Sequence, residues 1–325
     1  MIEYILLAFG IAFLIKGADF LVEGSSSLAK KLGISSLVIG LTVMAFGTSM
    51  PELVVNVISA INGTGDIAFG NILGSNMANI LLILGLTAFI TTLDVQYSTT
   101  WKEIPFSFLA ILVLLVFSSI FLLDDLNINS LLRMEGIILI LFFAVFLYYV
   151  FESARKSKKL NNIKPNTKKT KIKMYSNPVI FLLILGGSIG LYLGGKWTVE
   201  GAVTIAQGFG LSEFLISATV IAIGTSLPEL ITSVTAAMRK NVDLAVGNIV
   251  GSNIFNIFWV LGLTSIITPI PFPQFIISDL LILLFVTFLL FIFMFIGRKH
   301  QLEKWQGGLF VILYVAYIAF LIIRG

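Results

Sequence analysis

Two glutamates carry the plainest chemistry in this sequence. Glu52 and Glu229 each close the same short run, Gly-Thr-Ser-x-Pro-Glu, and each stands mid-way along an apolar stretch of about 26 residues. An ionised carboxylate inside such a stretch is costly unless it meets a cation or water. The structural alternative is a glutamate paired with a buried Lys or Arg, or kept protonated; no basic residue lies within either stretch. Pro51 and Pro228 lack an N–H, so the carbonyls of Gly47 and Gly224 lose their helical partners, and the glycines let the helix deform. The hydroxyls of Thr48, Ser49, Thr225 and Ser226 add neutral oxygens beside the carboxylates. Two carboxylates ringed by neutral oxygens make a hard site of the kind that takes calcium.

A second run follows each of these. Gly70-Asn71 through Ser75-Asn76 and Asn79 is mirrored by Gly247-Asn248 through Ser252-Asn253 and Asn256. Asn71, Ser75 and Asn79 stand four apart and share one helix face, as do Asn248, Ser252 and Asn256. Small residues and asparagines also glue membrane helices together, which is the alternative use, above all for Asn71, Asn76, Asn248 and Asn253. Oxygen donors of this type suit calcium or sodium, whereas soft transition metals want Cys, Met or His. Glu23 and Glu200 occupy matching positions, either along an ion path or at the interface, and Asp66 and Asp243 sit where an acid favours a helix N-terminus.

These side chains need membrane-crossing helices to hold them. Of 325 residues 58% are hydrophobic and 12% charged, with a mean hydropathy of +1.02, more apolar than a water-soluble core of this size requires. Apolar runs fall near residues 2–28, 36–61, 67–91, 102–123, 132–152, 177–205, 213–238, 244–267, 275–297 and 305–323, each near the ~20 residues a bilayer demands. The expected fold is an all-α polytopic membrane protein of about ten transmembrane helices. The first and sixth runs are interrupted by Lys16, Gly17, Asp19 and Glu23, and by Gly194, Gly195, Lys196 and Glu200, which predicts long, tilted or partly re-entrant segments. Without cysteine there is neither a disulfide framework nor a thiolate metal site, and the only histidine, His300, reads as a solvated loop residue beside Arg298 and Lys299. No Lys or Arg precedes the first apolar run, which argues for a membrane helix there and against a cleaved signal.

The chain is internally repeated. Adding 177 to a position aligns the halves without a gap from Gly17 with Gly194 to Leu86 with Leu263, matching Gly, Pro, Glu and Asn as well as apolar residues. This divides the chain into a first repeat over 1–153, a basic linker over 154–176 and a second repeat over 177–325. Five spans per repeat is an odd number, so the second repeat must be inverted relative to the first, an arrangement in which transporters place substrate at the midplane. If the lysine-rich linker is cytoplasmic, Lys30, Lys31, Lys102, Arg239, Lys240, Arg298, Lys299 and Lys304 fall inside too, and both termini fall outside. The linker itself carries no interleaved aromatics, so its charge marks a cytoplasmic loop and excludes a nucleic-acid surface.

The duplicated Gly-Thr-Ser-x-Pro-Glu and Gly-Asn-x-x-Gly-Ser-Asn runs resemble the α-repeats of the cation/calcium antiporter superfamily, and the chain is most similar there to prokaryotic sodium/calcium exchangers. The resemblance implies a multi-pass cell-membrane antiporter that needs no cofactor, whose partners are calcium, sodium and lipid, and for which a monomer suffices. It implies alternating access by sliding of the first and sixth spans against the other eight. By motif position it implies Glu52 and Glu229 as calcium ligands. Carbonyls or hydroxyls of Ala45, Thr48, Ser49, Ser75, Ala222, Thr225, Ser226 and Ser252 serve calcium or sodium, and Asn79 and Asn256 complete the set. Some members carry Asp where this chain has Asn256, which sets potassium dependence apart from this sequence.

Three other functions compete. A calcium/proton exchanger would use the same two glutamates as proton acceptors, although the paired hydroxyls are ligands that a proton does not need. A channel fits the apolar composition but not two repeats converging on a compact carboxylate pair. An intramembrane hydrolase built on Ser49 or Ser226 lacks a nearby base. Single cysteines at positions 62, 164 and 271 of this cysteine-free chain test the topology with an impermeant thiol reagent. Position 164 is expected to label from one side and positions 62 and 271 from the other; labelling of all three from one side rules out inversion.

Overall fold

A computed structural model describes residues 2–123, 129–163, 173–208 and 222–324. In lipid every backbone polar group must be satisfied within its own segment, and apolar runs of this length do so as helices. The first half holds α1 (Ile2–Leu32), α2 (Ser36–Thr48), α3 (Met50–Ile61), α4 (Gly65–Met77), α5 (Gly85–Ile90), α6 (Ile104–Leu123) and α7 (Arg133–Ile163). The second holds α8 (Asn177–Gly208), α9 (Ala222–Thr225), α10 (Leu227–Met238), α11 (Val242–Ile254), α12 (Gly262–Ile267), α13 (Ile276–Phe293) and α14 (Lys304–Arg324). Eight helical stretches among the described residues are long and apolar enough to cross a membrane, and α2 with α3 makes a ninth bent by 46°. This is an all-helical membrane protein. The run expected over 213–238 is described only from residue 222, and Asp124, Asp125, Lys164, Pro165, Lys168, Lys169 and Lys171 lie outside the described residues.

The repeat extends from sequence into backbone. α3 and α10 begin 177 residues apart, as do α4 and α11, and α5 and α12. Each α4-type helix runs into one wide turn of π-helix, Ala78–Leu84 in one half and Phe255–Leu261 in the other. The two helices with this turn are the most enclosed spans, 78% and 83% buried along their apolar windows against 28–39% for the others measured, so they form the centre. Two minimal antiparallel ladders join the halves: β1 (Leu93–Asp94) pairs with β4 (Gln301–Leu302), and β2 (Ser130–Leu131) with β3 (Ile270–Pro271). β1 and β3 occupy equivalent places after α5 and α12, so each half contributes the same loop to a different ladder.

α1 and α8 are continuous helices of 31 and 32 residues, so the interruptions read at their charges and glycines do not break them. At about 1.5 Å per residue both exceed a ~30 Å hydrocarbon layer and are accommodated by tilt. They pack backbone to backbone. A Cβ added at Gly17 would lie 2.7 Å from the Leu191 nitrogen, and one at Gly187 would lie 2.6 Å from the Leu21 nitrogen. Glycine is required there by close approach, the usual device by which membrane helices gain contact without a hydrophobic driving force. Where the pair meets the bundle, Arg239 after α10 forms an ion pair with Asp19 of α1, while within the pair Glu23 accepts from the hydroxyl of Tyr175, just before α8.

Two expectations change. His300 is half-buried, its Nδ1 3.0 Å from the Thr100 hydroxyl oxygen, and its ring sits against Tyr97; its carbonyl accepts from Val95 N–H at 2.8 Å, so it braces the first ladder instead of facing solvent. A further buried carboxylate, Glu103, escaped the sequence reading because it opens a span beside Lys102; the Tyr149 hydroxyl donates to it.

The α1–α8 seam has a direct test in neighbouring glycines. Gly187→Ala is expected to lower stability in detergent by about 1–3 kcal/mol through overpacking. Gly186→Ala, where no atom lies within 4 Å of the new Cβ, is expected to be neutral or to gain up to about 1 kcal/mol in helix propensity. Equal melting temperatures for the two variants would contradict the close approach.

Candidate cation site between the two halves

Ser49 and Ser226 interrupt the broken helices. Each leaves helical geometry (φ −87°, ψ 8° and φ −90°, ψ 4°), and each is followed by a helix with proline in its first turn, where a missing N–H costs nothing. Glu52 and Glu229 therefore stand in the first turns of α3 and α10, beside the positive ends of those helices. Both are fully buried, with 0% exposure. Among the described residues no ion pair involves either one.

Hydroxyls from both halves surround the carboxylates. Ser75 donates to Glu52 Oε1 at 3.3 Å and Ser252 to Glu229 Oε1 at 3.5 Å, equivalent contacts within each half. Ser49 crosses to Glu229 Oε1 at 3.1 Å, and Ser226 crosses to the Ser75 hydroxyl at 3.1 Å. Thr48 donates to Asn248 Oδ1 at 3.2 Å and lies 3.5 Å from the Ser252 hydroxyl. Thr225 is only half-buried, so the two threonines differ in setting.

The asparagines form a crossed lattice. Asn79 Nδ2 donates to Asn253 Oδ1 at 2.9 Å, and its equivalent Asn256 Nδ2 donates to Asn76 Oδ1 at 3.0 Å and to the Ser75 hydroxyl at 3.2 Å. Asn76 Nδ2 also reaches the Asn253 carbonyl at 3.3 Å. Asn71 and Asn248 turn back to their own halves, donating to Asn56 Oδ1 at 2.9 Å and to the Ser233 hydroxyl at 3.0 Å. Asn71 is thus a helix tie within its half, Asn248 ties its own half through its NH₂ group and accepts from Thr48 of the other, and Asn76 and Asn253 tie the halves together. Asn56 and Ser233 were missed in the sequence, although they stand four residues after the glutamates and at the repeat offset, a signal that was present.

The acceptors that this lattice leaves unbonded decide its chemistry, the Nδ2 of Asn56 being its one donor without a partner among the described residues. Glu52 Oε2, Glu229 Oε2, Asn79 Oδ1 and Asn256 Oδ1 are buried and have no hydrogen-bond partner. They are two repeat-related pairs, and all four are acceptors. An orphaned buried polar atom costs about 1–3 kcal/mol, and more when charged, so these four acceptors point to a positively charged guest. No group of three or more His, Cys, Asp or Glu occurs among the described residues, so such a guest would meet two carboxylates and neutral oxygens, the donor set of a hard cation. The main-chain donors expected at Ala45 and Ala222 differ from this picture. The Ala45 carbonyl already accepts from Ser49 N–H at 2.9 Å and from the Thr48 hydroxyl at 3.3 Å, while Ser226 N–H bonds the Ile223 carbonyl at 3.1 Å instead. The two halves therefore contribute the same residue types but differ in the burial of Thr48 and Thr225, in what Ser49 and Ser226 bond, and in the turn of backbone before the break.

Residues 2–152 and 179–323 match the sodium/calcium exchanger protein family. Among relatives, the sodium/calcium exchanger MaX1 of Methanosarcina acetivorans is 29% identical over 99% of this chain and 98% of its own. The inner membrane protein YrbG of Escherichia coli is 34% identical over 81% of this chain and 79% of its own. A solved structure of the sodium-calcium exchanger NCX_Mj, soaked with sodium and strontium, is similar with a TM-score of 0.79 and 29% identity, covering 98% of this chain and 97% of that one. With nearly its whole length matched in family, relatives and fold, this chain belongs to the sodium/calcium exchanger protein family.

Proposed function

We propose that this chain is a secondary antiporter that exchanges calcium for sodium across a membrane by alternating access. The observation that carries the reading is the set of four unbonded, buried acceptor oxygens on Glu52, Glu229, Asn79 and Asn256, drawn equally from both halves and unaccompanied by any basic side chain. The family and the names of the relatives support calcium and sodium as the cargo. Glu52 and Glu229 take calcium, with Asn79 and Asn256 beside them. The hydroxyls of Thr48, Ser49, Ser75, Thr225, Ser226 and Ser252, and the carbonyls of Ala45 and Ala222, serve sodium or complete the calcium shell. The Ala45 and Thr48 oxygens must exchange hydrogen bonds to do so.

The arrangement proposed is ten helices in two inverted five-helix repeats, 1–153 and 177–325, joined by a cytoplasmic linker over 154–176 with both termini outside. The ladders support inversion: β1 and β4 belong to loops read as cytoplasmic, and β2 and β3 to loops read as external, so one ladder closes each face. The glycine seam supports motion of α1 and α8 as one body against the rest. Calcium/proton exchange is the other outcome that the flux measurement below distinguishes.

Glu52→Gln and Glu229→Gln are each expected to abolish calcium uptake while the protein still elutes as a folded species. Each removes one of two charges facing a divalent ion where water does not screen them, and there each charge counts for several kcal/mol. Near-normal uptake by either variant would make the carboxylates structural.

Exchange is expected to be electrogenic, independent of potassium and driven by sodium. One calcium neutralises the two glutamates, whereas the more than two sodium ions implied by the family leave the loaded site positive. That step alone then feels the membrane potential, by about 2.3 kcal/mol per elementary charge per 100 mV. Calcium uptake into sodium-loaded vesicles at clamped voltage measures this. Indifference to voltage, or equal uptake on a proton gradient, points to proton exchange; a strict need for potassium overturns the reading of Asn256.

A further inference from the structure

A lateral groove of about 820 Å³ with an almost wholly apolar lining lies between α8 and the bundle. Its walls are Phe46 and Met50 from the broken span, Phe143 of α7, Leu185 and Ile189 of α8, and Trp259 from the second wide turn. Its volume falls in the range of about 300–1,000 Å³ typical of ligand cavities. Among the described residues lining it, only Thr42, Ser188 and Tyr192 carry hydroxyls, and Thr42 donates its own to the Val38 carbonyl at 2.7 Å. A space with so few polar partners does not hold ordered water and favours an apolar guest. Phe46, Leu185 and Ile189 are 45%, 44% and 50% exposed, so the mouth opens on the face that meets lipid.

We infer that this groove is a binding site for one acyl chain of a bilayer phospholipid. Its depth argues for a chain and against a headgroup. Gly47 and Met50 in its wall flank the break at Ser49, one turn from the buried Glu52, so the groove lies within the hydrocarbon layer. Its position gives the chain a mechanical role: it fills the gap on the side of α8 away from the glycine seam, where a dry void would forfeit contacts along both walls. The inference is independent of which ions the protein moves.

The four tryptophans, at positions 101, 197, 259 and 305, provide the probe. A protein retaining only Trp259, the others replaced by Phe, is titrated in detergent with phosphatidylcholine brominated near the chain end. Trp259 emission is expected to fall about twofold and to saturate by mass action near one lipid per protein. Leu185→Phe, which narrows the mouth of the groove, is expected to weaken the saturable phase while the protein still elutes as a folded species and still binds calcium. Quenching that is unsaturable and identical in the Leu185→Phe protein would show casual contact with the lipid belt and overturn the site. Quenching of Trp259 by acrylamide but not by the brominated chain would show a wet groove and overturn it equally.

Discussion

A carboxylate inside a bilayer must meet positive charge, and this protein buries two without supplying any. That constraint organises everything around them. The helices break just before each glutamate, Ser75 bonds one oxygen of Glu52, hydroxyls from both halves converge on one oxygen of Glu229, and the remaining oxygens stay unbonded. A buried lysine would have satisfied the glutamates permanently and ended their use. Leaving the two carboxylates short of charge makes a bound cation stabilising, which is the property that the proposed exchange requires.

The neutral frame works by spending donors and saving acceptors. Each carboxamide of Asn79 and Asn256 uses its NH₂ group on a neighbour from the other half and keeps its oxygen free. An aspartate at either place would lose that donor and set an acceptor against an acceptor, so Asn is a structural choice as well as an electrostatic one. The pairing also helps fix the distance between the halves at the level where they meet, alongside the two-residue ladders at the loops and the α1–α8 seam.

Much of this was legible in the sequence because the repeat acts as an internal control. Glu52 and Glu229, Ser75 and Ser252, Asn79 and Asn256 stand in register, and chance apolar similarity does not place Glu and Asn at a fixed offset. Asn56 and Ser233 were passed over because one is an amide and the other a hydroxyl, so the repeat hid their common task of receiving a neighbour's NH₂. The wide turns at Ala78–Leu84 and Phe255–Leu261 have no sequence signature, since one extra residue per turn leaves composition untouched. The bonding of the Ala45 carbonyl depends on how the break closes, which residue type does not specify. His300 looked solvated because its neighbours in sequence are charged, whereas its neighbours in space come from residues two hundred positions earlier.

The ladders and the crossed asparagines also govern how the chain is made. Asn79 waits for Asn253, Asn256 must arrive to bond Asn76, and β1 finds β4 only when residues 301 and 302 emerge. During synthesis the first half enters the bilayer carrying Glu52 and an unpaired polar face, with most of the chain's lasting partners still untranslated. That intermediate is exposed for the whole time the second half takes to be elongated. A protein whose halves complete each other is therefore one whose insertion machinery must shelter a polar half-molecule, and defects in the last loop are felt first as failed assembly of helices inserted long before.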